Sequence, residues 1–227
     1  MPMIRDNFLH LRQRIEKAAL RVGRDPAMIK LVAVTKSRDL RQIHQALEFG
    51  VTDIGENRIQ EALIKYRELT DQRPIKWHMV GHLQTNKAKE AVGIFDYIHS
   101  LDSLHLAEEL DKQAGRVNKL QDVLLEVNVS GETAKFGVPP QDAPTLVKEI
   151  SRLGHLRLQG LMTVAPISDD PEKSRPHFRA LRELKDKINQ LTNNPLTVLS
   201  MGMSDDFEVA IEEGADFIRL GRAIFEG

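Results

Sequence analysis

Three places in this sequence carry side chains that could do chemistry together. Lys36 follows the apolar run Leu31-Val32-Ala33-Val34 with no turn residue between. A lysine at the lip of a sheet is partly desolvated, which favours the neutral, nucleophilic amine that a Schiff base needs. Near the other end, Leu199 runs into Ser200-Met201-Gly202-Met203-Ser204-Asp205-Asp206. Further on, Phe217-Ile218-Arg219-Leu220 runs into Gly221-Arg222. Gly202 and Gly221 would let the backbone approach an anion closely. Ser204 would cap a helix whose first amides face a phosphate. Each feature also has a plainer reading. Lys36 alone is a solvated strand-end lysine, and Ser204 alone is a helix cap, with Asp205 and Asp206 complementing the helix dipole. Arg219 shares a strand face with Phe217 and needs a partner if buried, which a structural ion pair would supply. His78 and His82 fall in a strand and then a loop, so they share no helix face and do not read as a metal pair. The chain has no cysteine, which excludes thiolate ligands and cysteine nucleophiles. No metal site is expected.

The elements that must position these residues alternate. An amphipathic helix is predicted over Arg5–Val22, with Phe8, Leu11, Ile15, Ala18 and Val22 on one face. Strand patterns then fall at Leu31–Val34, Asp53–Gly55, Ile75–Val80, Phe95–His99, Val123–Val129, Leu156–Met162, Thr197–Leu199 and Phe217–Leu220. Between them lie helical patterns at Asp39–Phe49 (closed by Gly50), Asn57–Leu69, Thr85–Val92, Leu104–Arg116, Ala143–Leu153, Pro171–Leu191 (stopped by Asn193-Asn194-Pro195) and Ser204–Glu213 (closed by Gly214). Strand–helix alternation argues for a parallel sheet. Eight units in 227 residues is the size of one (β/α)₈ TIM-type barrel. The rival, an open doubly wound sheet, would carry a glycine-rich turn after its first strand, and Thr35-Lys36-Ser37 has none. The expected fold is therefore a single α/β barrel over residues 1–227, with residues 1–30 as a helical segment covering the wall. No eighth helix is expected after the last strand, and no C-terminal β domain. In such a barrel the chemistry lies at the C-terminal ends of the strands, and the loops after strands seven and eight commonly hold phosphate. Lys36 and the Ser200–Gly221 region both fall there.

Composition excludes other classes. The chain has 32 basic and 33 acidic residues, a formal net charge of -1, so the broad basic footprint of a nucleic-acid binder is missing. No apolar run reaches the ~20 residues of a membrane span, and the charged start has no signal-peptide core. A cytoplasmic location is expected.

Taken together, Ala33-Val34-Thr35-Lys36, Gly55-Glu56-Asn57, the Trp77–Lys87 stretch, Gly160-Leu161-Met162-Thr163, Leu199–Ser204 and Ile218-Arg219-Leu220-Gly221 resemble the pyridoxal phosphate homeostasis protein family, similar in fold to the N-terminal barrel of alanine racemases. The resemblance covers nearly the whole chain. It implies that Lys36 carries pyridoxal 5′-phosphate (PLP) as an internal aldimine. It implies that Ser200, Gly202, Ser204 and Gly221 lie around the phosphate, that Arg219 faces the pyridine nitrogen and that Asn57 lines the ring site. Lys135 stands where racemases have an arginine, and it cannot supply the same planar fork. The expected function is a PLP-binding protein of vitamin B6 and amino-acid homeostasis with little or no turnover, hence no catalytic residues. It is expected to be a monomer whose partners are PLP and PLP-dependent apo-enzymes. A PLP-dependent amino-acid racemase and a class I aldolase-like barrel enzyme are the alternatives.

Overall fold

Short runs of β-branched and apolar residues between capped helices leave the backbone few choices, and each run pairs with the next. The computed structural model describes residues 3–69, 74–192 and 195–226. Its strands are β1 (Lys30–Val34), β2 (Asp53–Glu56), β3 (Lys76–Met79), β4 (Tyr97–Leu101), β5 (Gln121–Glu126), β6 (Leu156–Met162), β7 (Val198–Ser200) and β8 (Phe217–Leu220). All pair in parallel, in sequence order, and the sheet closes on itself. The closing seam sets Leu31 beside Ile218 and Val32 beside Arg219. The α/β barrel expected from alternation is thus the observed fold.

The helices are α1 (Met3–Arg21), α2 (Leu40–Glu48), α3 (Ile59–Leu69), α4 (Ala88–Ile94), α5 (Leu104–Arg116), α6 (Ala143–Ile150), α7 (Arg175–Leu191), α8 (Phe207–Glu212) and α9 (Arg222–Phe225). Local chemistry sets their ends. Asp39 caps α2 in a capping box with Gln42, and Gly50 follows with φ +98°, where a side chain would be strained. α1 packs along α8 and α9, in the place an eighth outer helix would take. Arg14 forks onto Glu208 at 3.1 and 3.0 Å to hold it there.

Several expectations need correction, among them β5, which spans Gln121–Glu126 rather than Val123–Val129. A single-turn helix, α9, does follow β8, because Ile224 and Phe225 bury against the core. α8 starts at Phe207 rather than Ser204, since residues 204–206 form a turn in which the Asp206 carboxylate accepts from Met203 N at 2.7 Å. β4 starts at Tyr97 rather than Phe95, because Phe95 closes α4 by donating its N–H to Ala91 O. The Asn193-Asn194 stop signal lies outside the described residues. No helix among the described residues is long and apolar enough to cross a membrane.

One apolar layer lies between the barrel and its helices. Inside the barrel a small cluster of Val32, Leu124, Met162 and Phe217 fills the axis. The rest of that interior is polar, and it leads to the site.

Candidate functional site

A cavity of ≈ 360 Å³ opens at the C-terminal ends of the strands and is lined by Lys36, Asn57, Ser204, Arg219, Gly221 and Arg222, among others. Val34, Val80 and Val164 form its apolar walls. A larger cavity, ≈ 490 Å³, lies at the opposite end between α1 and the starts of β1 and β2. Barrels place their chemistry at the C-terminal end, and the amine is there, so the smaller cavity is the candidate site.

Lys36 sits in a tight turn just past β1. Arg38 N donates to Thr35 O at 3.0 Å, and Ser37 adopts φ +59°, a conformation uncommon for a residue with a side chain and enriched at functional sites. A buried network fixes this turn from beneath. Lys65 Nζ donates to Thr35 O at 2.6 Å and to Glu56 Oε1 at 2.7 Å. Thr35 also donates its hydroxyl to Glu56 Oε1, and Glu61 accepts from Ser37 N at 3.1 Å. Burial raises the Glu56 carboxyl above its ordinary range despite the bonds from Lys65 and Thr35. The sequence offers Glu56 only as part of the Gly55-Glu56-Asn57 motif, with no role of its own, and nothing in it points to Lys65. Lys36 itself is exposed, so protein atoms alone do not supply the desolvation expected of it.

Arg219 forms the floor. It is buried, and its guanidinium donates to Ser200 Oγ at 2.7 Å and to Thr163 O at 2.8 Å. In place of the structural ion pair of the plainer reading, the guanidinium has two neutral oxygens. Burial pulls its pKa down to about 10, opposed by the carboxylates of Glu126 and Asp206, so it remains a cation at neutral pH.

The remaining sequence-derived residues divide. Asn57 lies on the cavity wall, and its backbone is crowded by Gly81, where a Cβ would come within 2.5 Å of Asn57 O. Glycine at 81 is therefore what lets the loop after β3 close on Asn57. Ser204 and Gly221 line the cavity beside Arg222. Ser204 does not cap α8, and its hydroxyl accepts from Ala223 N at 3.2 Å, joining the loops after β7 and β8. Two residues are not at the anion corner. Ser200 is fully buried, and its hydroxyl is engaged between His99 and Arg219. Gly202, at φ +94°, lies under α8, where a Cβ would meet Ala210 Cβ at 2.5 Å. Its small size serves helix packing rather than an anion. Lys135 reaches Val164 O at 3.3 Å and lines a separate cleft of ≈ 180 Å³ with Glu126 and Phe136. The two acids of the cavity are engaged: Asp205 pairs with Arg222, and Asp206 accepts from Met203 N.

An amine, a buried guanidinium and a corner of hydroxyl, glycine backbone and guanidinium thus face one space with apolar walls. Such a donor set can hold an anionic aromatic aldehyde at three points. Comparison with known proteins agrees with this chemistry. Residues 4–227 match the family described as alanine racemase, N-terminal domain. A protein of Aquifex aeolicus (strain VF5) named pyridoxal phosphate homeostasis protein is 46% identical over 213 residues, 94% of this chain and 93% of its own length. The structure of PipY of Synechococcus elongatus PCC7942 with PLP bound superposes with a TM-score of 0.83 at 36% identity, covering 94% of this chain and 99% of PipY. An alanine racemase of Clostridium difficile 630 shares the fold alone, with TM-score 0.76 at 14% identity over 99% of this chain and 56% of the racemase.

Proposed function

On the premise that this chain belongs to the alanine racemase N-terminal domain family and, within it, to the pyridoxal phosphate homeostasis proteins, we propose that it binds pyridoxal 5′-phosphate at the β-strand C-terminal cavity. In this reading it holds the cofactor through Lys36 and hands it on to PLP-dependent apo-enzymes. The observation that carries the reading is the convergence of Lys36, Arg219 and the Ser204–Gly221–Arg222 corner on one ≈ 360 Å³ cavity.

When bound, PLP supplies an aldehyde that amines attack and a ring that withdraws electrons from them. The chain's residues divide the work of holding it. Lys36 Nζ provides the covalent attachment, and the turn fixed by Lys65, Glu56 and Glu61 determines where that nitrogen can reach. Arg219 presents its guanidinium to the ring nitrogen. Because Arg219 keeps its own proton near neutral pH, it would not protonate that nitrogen, and a bound ring would be a weaker electron sink than a pyridinium. Ser204, Gly221 and Arg222 hold the phosphate, Arg222 as a charge-assisted donor. Val34, Val80 and Val164 would exclude water from the bound ring, and Asn57 would line the ring site.

Little turnover follows from the same arrangement. Racemisation needs an acid–base group on each face of the substrate carbon. Lys36 serves one. The chain's tyrosines face elsewhere: Tyr66 packs on Trp77 at 5.5 Å, and Tyr97 stacks on His78 at 5.0 Å inside the barrel. Titrating cofactor-free protein with PLP, and separately with pyridoxal, tests the site by visible absorbance. Wild type should gain a visible band with PLP, Lys36→Ala should not, and pyridoxal should bind far more weakly. Equal affinity for the two ligands would remove the phosphate corner from the reading. Chiral chromatography of L- and D-alanine with loaded protein tests turnover, and racemisation on the order of 1 s⁻¹ would make it an enzyme.

A further inference from the structure

The barrel interior holds a line of polar side chains that the cofactor site does not require as ligands. Asp53 Oδ1 lies 2.9 Å from His78 Nε2. His78 Nδ1 lies 2.9 Å from His99 Nε2, and His99 Nδ1 lies 2.8 Å from Ser200 Oγ. Arg219 Nη1 completes the line by donating to Ser200 Oγ at 2.7 Å. The line crosses the barrel from the start of β2, beside the cavity at the N-terminal end, to the floor of the candidate site. His78, His99 and Ser200 are fully buried, and Phe217 packs edge-on or tilted against both imidazoles. Buried polar groups are costly unless every bond is made, and aliphatic residues would fill this space at lower cost.

With both imidazoles neutral, the chemistry of the two ends fixes the direction of every bond between them. An ionised carboxylate only accepts and a guanidinium only donates. Asp53 accepts, so His78 carries its proton on Nε2. If His78 is neutral, its Nδ1 must accept, so His99 carries its proton on Nε2 as well. His99 Nδ1 then accepts from the Ser200 hydroxyl, whose oxygen is left to accept from Arg219. Burial, with His78 and Arg219 adding to it, holds His99 well below the ordinary imidazole value, which keeps it neutral. At Asp53 burial opposes ionisation, but bonds from His78 and Thr52 outweigh it.

We propose that Asp53, His78, His99 and Ser200 are positioning residues, a one-way hydrogen-bond relay that ties the anion of Asp53 to Arg219 and fixes the Arg219 guanidinium, aimed and charged, at the floor of the candidate site. The aim at the cofactor rests on the function proposed above; the relay rests on the protein alone. Other charged groups act on its ends: Glu126 and Asp206 on Arg219, and Lys30 on Asp53. Tyr97, stacked on His78, is itself raised by burial and by Asp122.

The test has two arms. The first records histidine ring nitrogen NMR spectra of the full chain without cofactor at neutral pH, with signals assigned from His78→Gln and His99→Gln. Both rings should be neutral with the proton on Nε2. An Nδ1–H tautomer or an imidazolium at either position overturns the relay. The second measures PLP affinity and the pH midpoint of the visible band. Ser200→Ala should weaken PLP about tenfold or more, the loss of one bond to a charged donor, and should move the midpoint. Asp53→Asn, nearly isosteric and at the opposite end of the barrel from the candidate site, should act in the same direction by less. Val32→Ala, a cavity-forming change in the same interior, should lower stability and leave the midpoint in place. A wild-type chain that gains no visible band refutes the cofactor reading, whatever its tautomers. A wild-type chain that gains the band, while Ser200→Ala and Asp53→Asn keep its affinity and midpoint, refutes the relay alone.

Discussion

Glu126 should make the protein lose stability as pH rises from about 5 to 7, and Glu126→Gln should abolish that loss. Glu126 ends β5 on the inside of the barrel, 8% exposed, beside Arg219 and the Lys135 cleft. Burial pushes its pKa up to about 7, against the pull of Arg219 and with help from Asp102. An acid whose folded pKa lies above its unfolded value binds its proton more tightly when folded. Its penalty is absent below the ordinary value of 4.5, grows as pH rises, and is complete above about 7. At 1.36 kcal/mol per pH unit, the full penalty is about 3 kcal/mol, of which about 2–3 kcal/mol develops between pH 5 and 8. Glutamine keeps the shape and cannot ionise. Urea unfolding of wild type and Glu126→Gln at half-unit steps over that range gives a difference in which the common titrations cancel. The variant should gain on wild type from pH 5 to about 7 and then level off toward pH 8. A difference that stays flat within about 0.5 kcal/mol would refute the reasoning, since Glu126 would then titrate like an exposed carboxylate.

Other expectations follow from the same kind of accounting. Lys65→Met leaves Glu56 buried beside the Lys36 turn without its cation and should cost about 3–5 kcal/mol, part of which the double variant with Glu56→Gln recovers; chemical denaturation reads both. Gly202→Ala must fit a Cβ 2.5 Å from Ala210 Cβ at φ +94° and should destabilise by more than about 2 kcal/mol. Gly93→Ala in α4, with open space around it, should stabilise by about 0.5–1 kcal/mol, and thermal melts separate the two. Ser204→Ala removes the acceptor for Ala223 N and the phosphate ligand proposed above, so it should cost about 1 kcal/mol of stability and weaken PLP about tenfold, as measured by equilibrium dialysis.

The barrel was legible because its signals are local. Leu104–Arg116, Leu156–Met162 and Phe217–Leu220 were read to the residue, each bounded by polar or turn residues. The ends of the site loops were less legible, because tertiary bonds decide them. The turn at 204–206 depends on the Asp206 carboxylate, and a serine at a helix start carries no sign that its hydroxyl will turn to the next loop. Lys36, Arg219 and Asn57 could be singled out by strand position and resemblance. The Ser37 conformation could not, since no glycine or asparagine marks it. The network under Lys36 joins residues from β2 and α3, and the interior relay joins residues from β2, β3, β4, β7 and β8. Such contacts exist only once the barrel closes. Reading His78 against its sequence neighbour His82 missed its true partners, Asp53 and His99, for that reason.

The central claim is that Lys36 is the amine that holds the cofactor. Loading wild-type protein with PLP, reducing it with borohydride, and mapping the label by proteolysis and mass spectrometry tests it most directly. The account predicts a single dominant pyridoxyl label on the peptide carrying Lys36, absent from Lys36→Ala. A label found chiefly on Lys135, Lys87 or Lys65, or retained in full by Lys36→Ala, would contradict it.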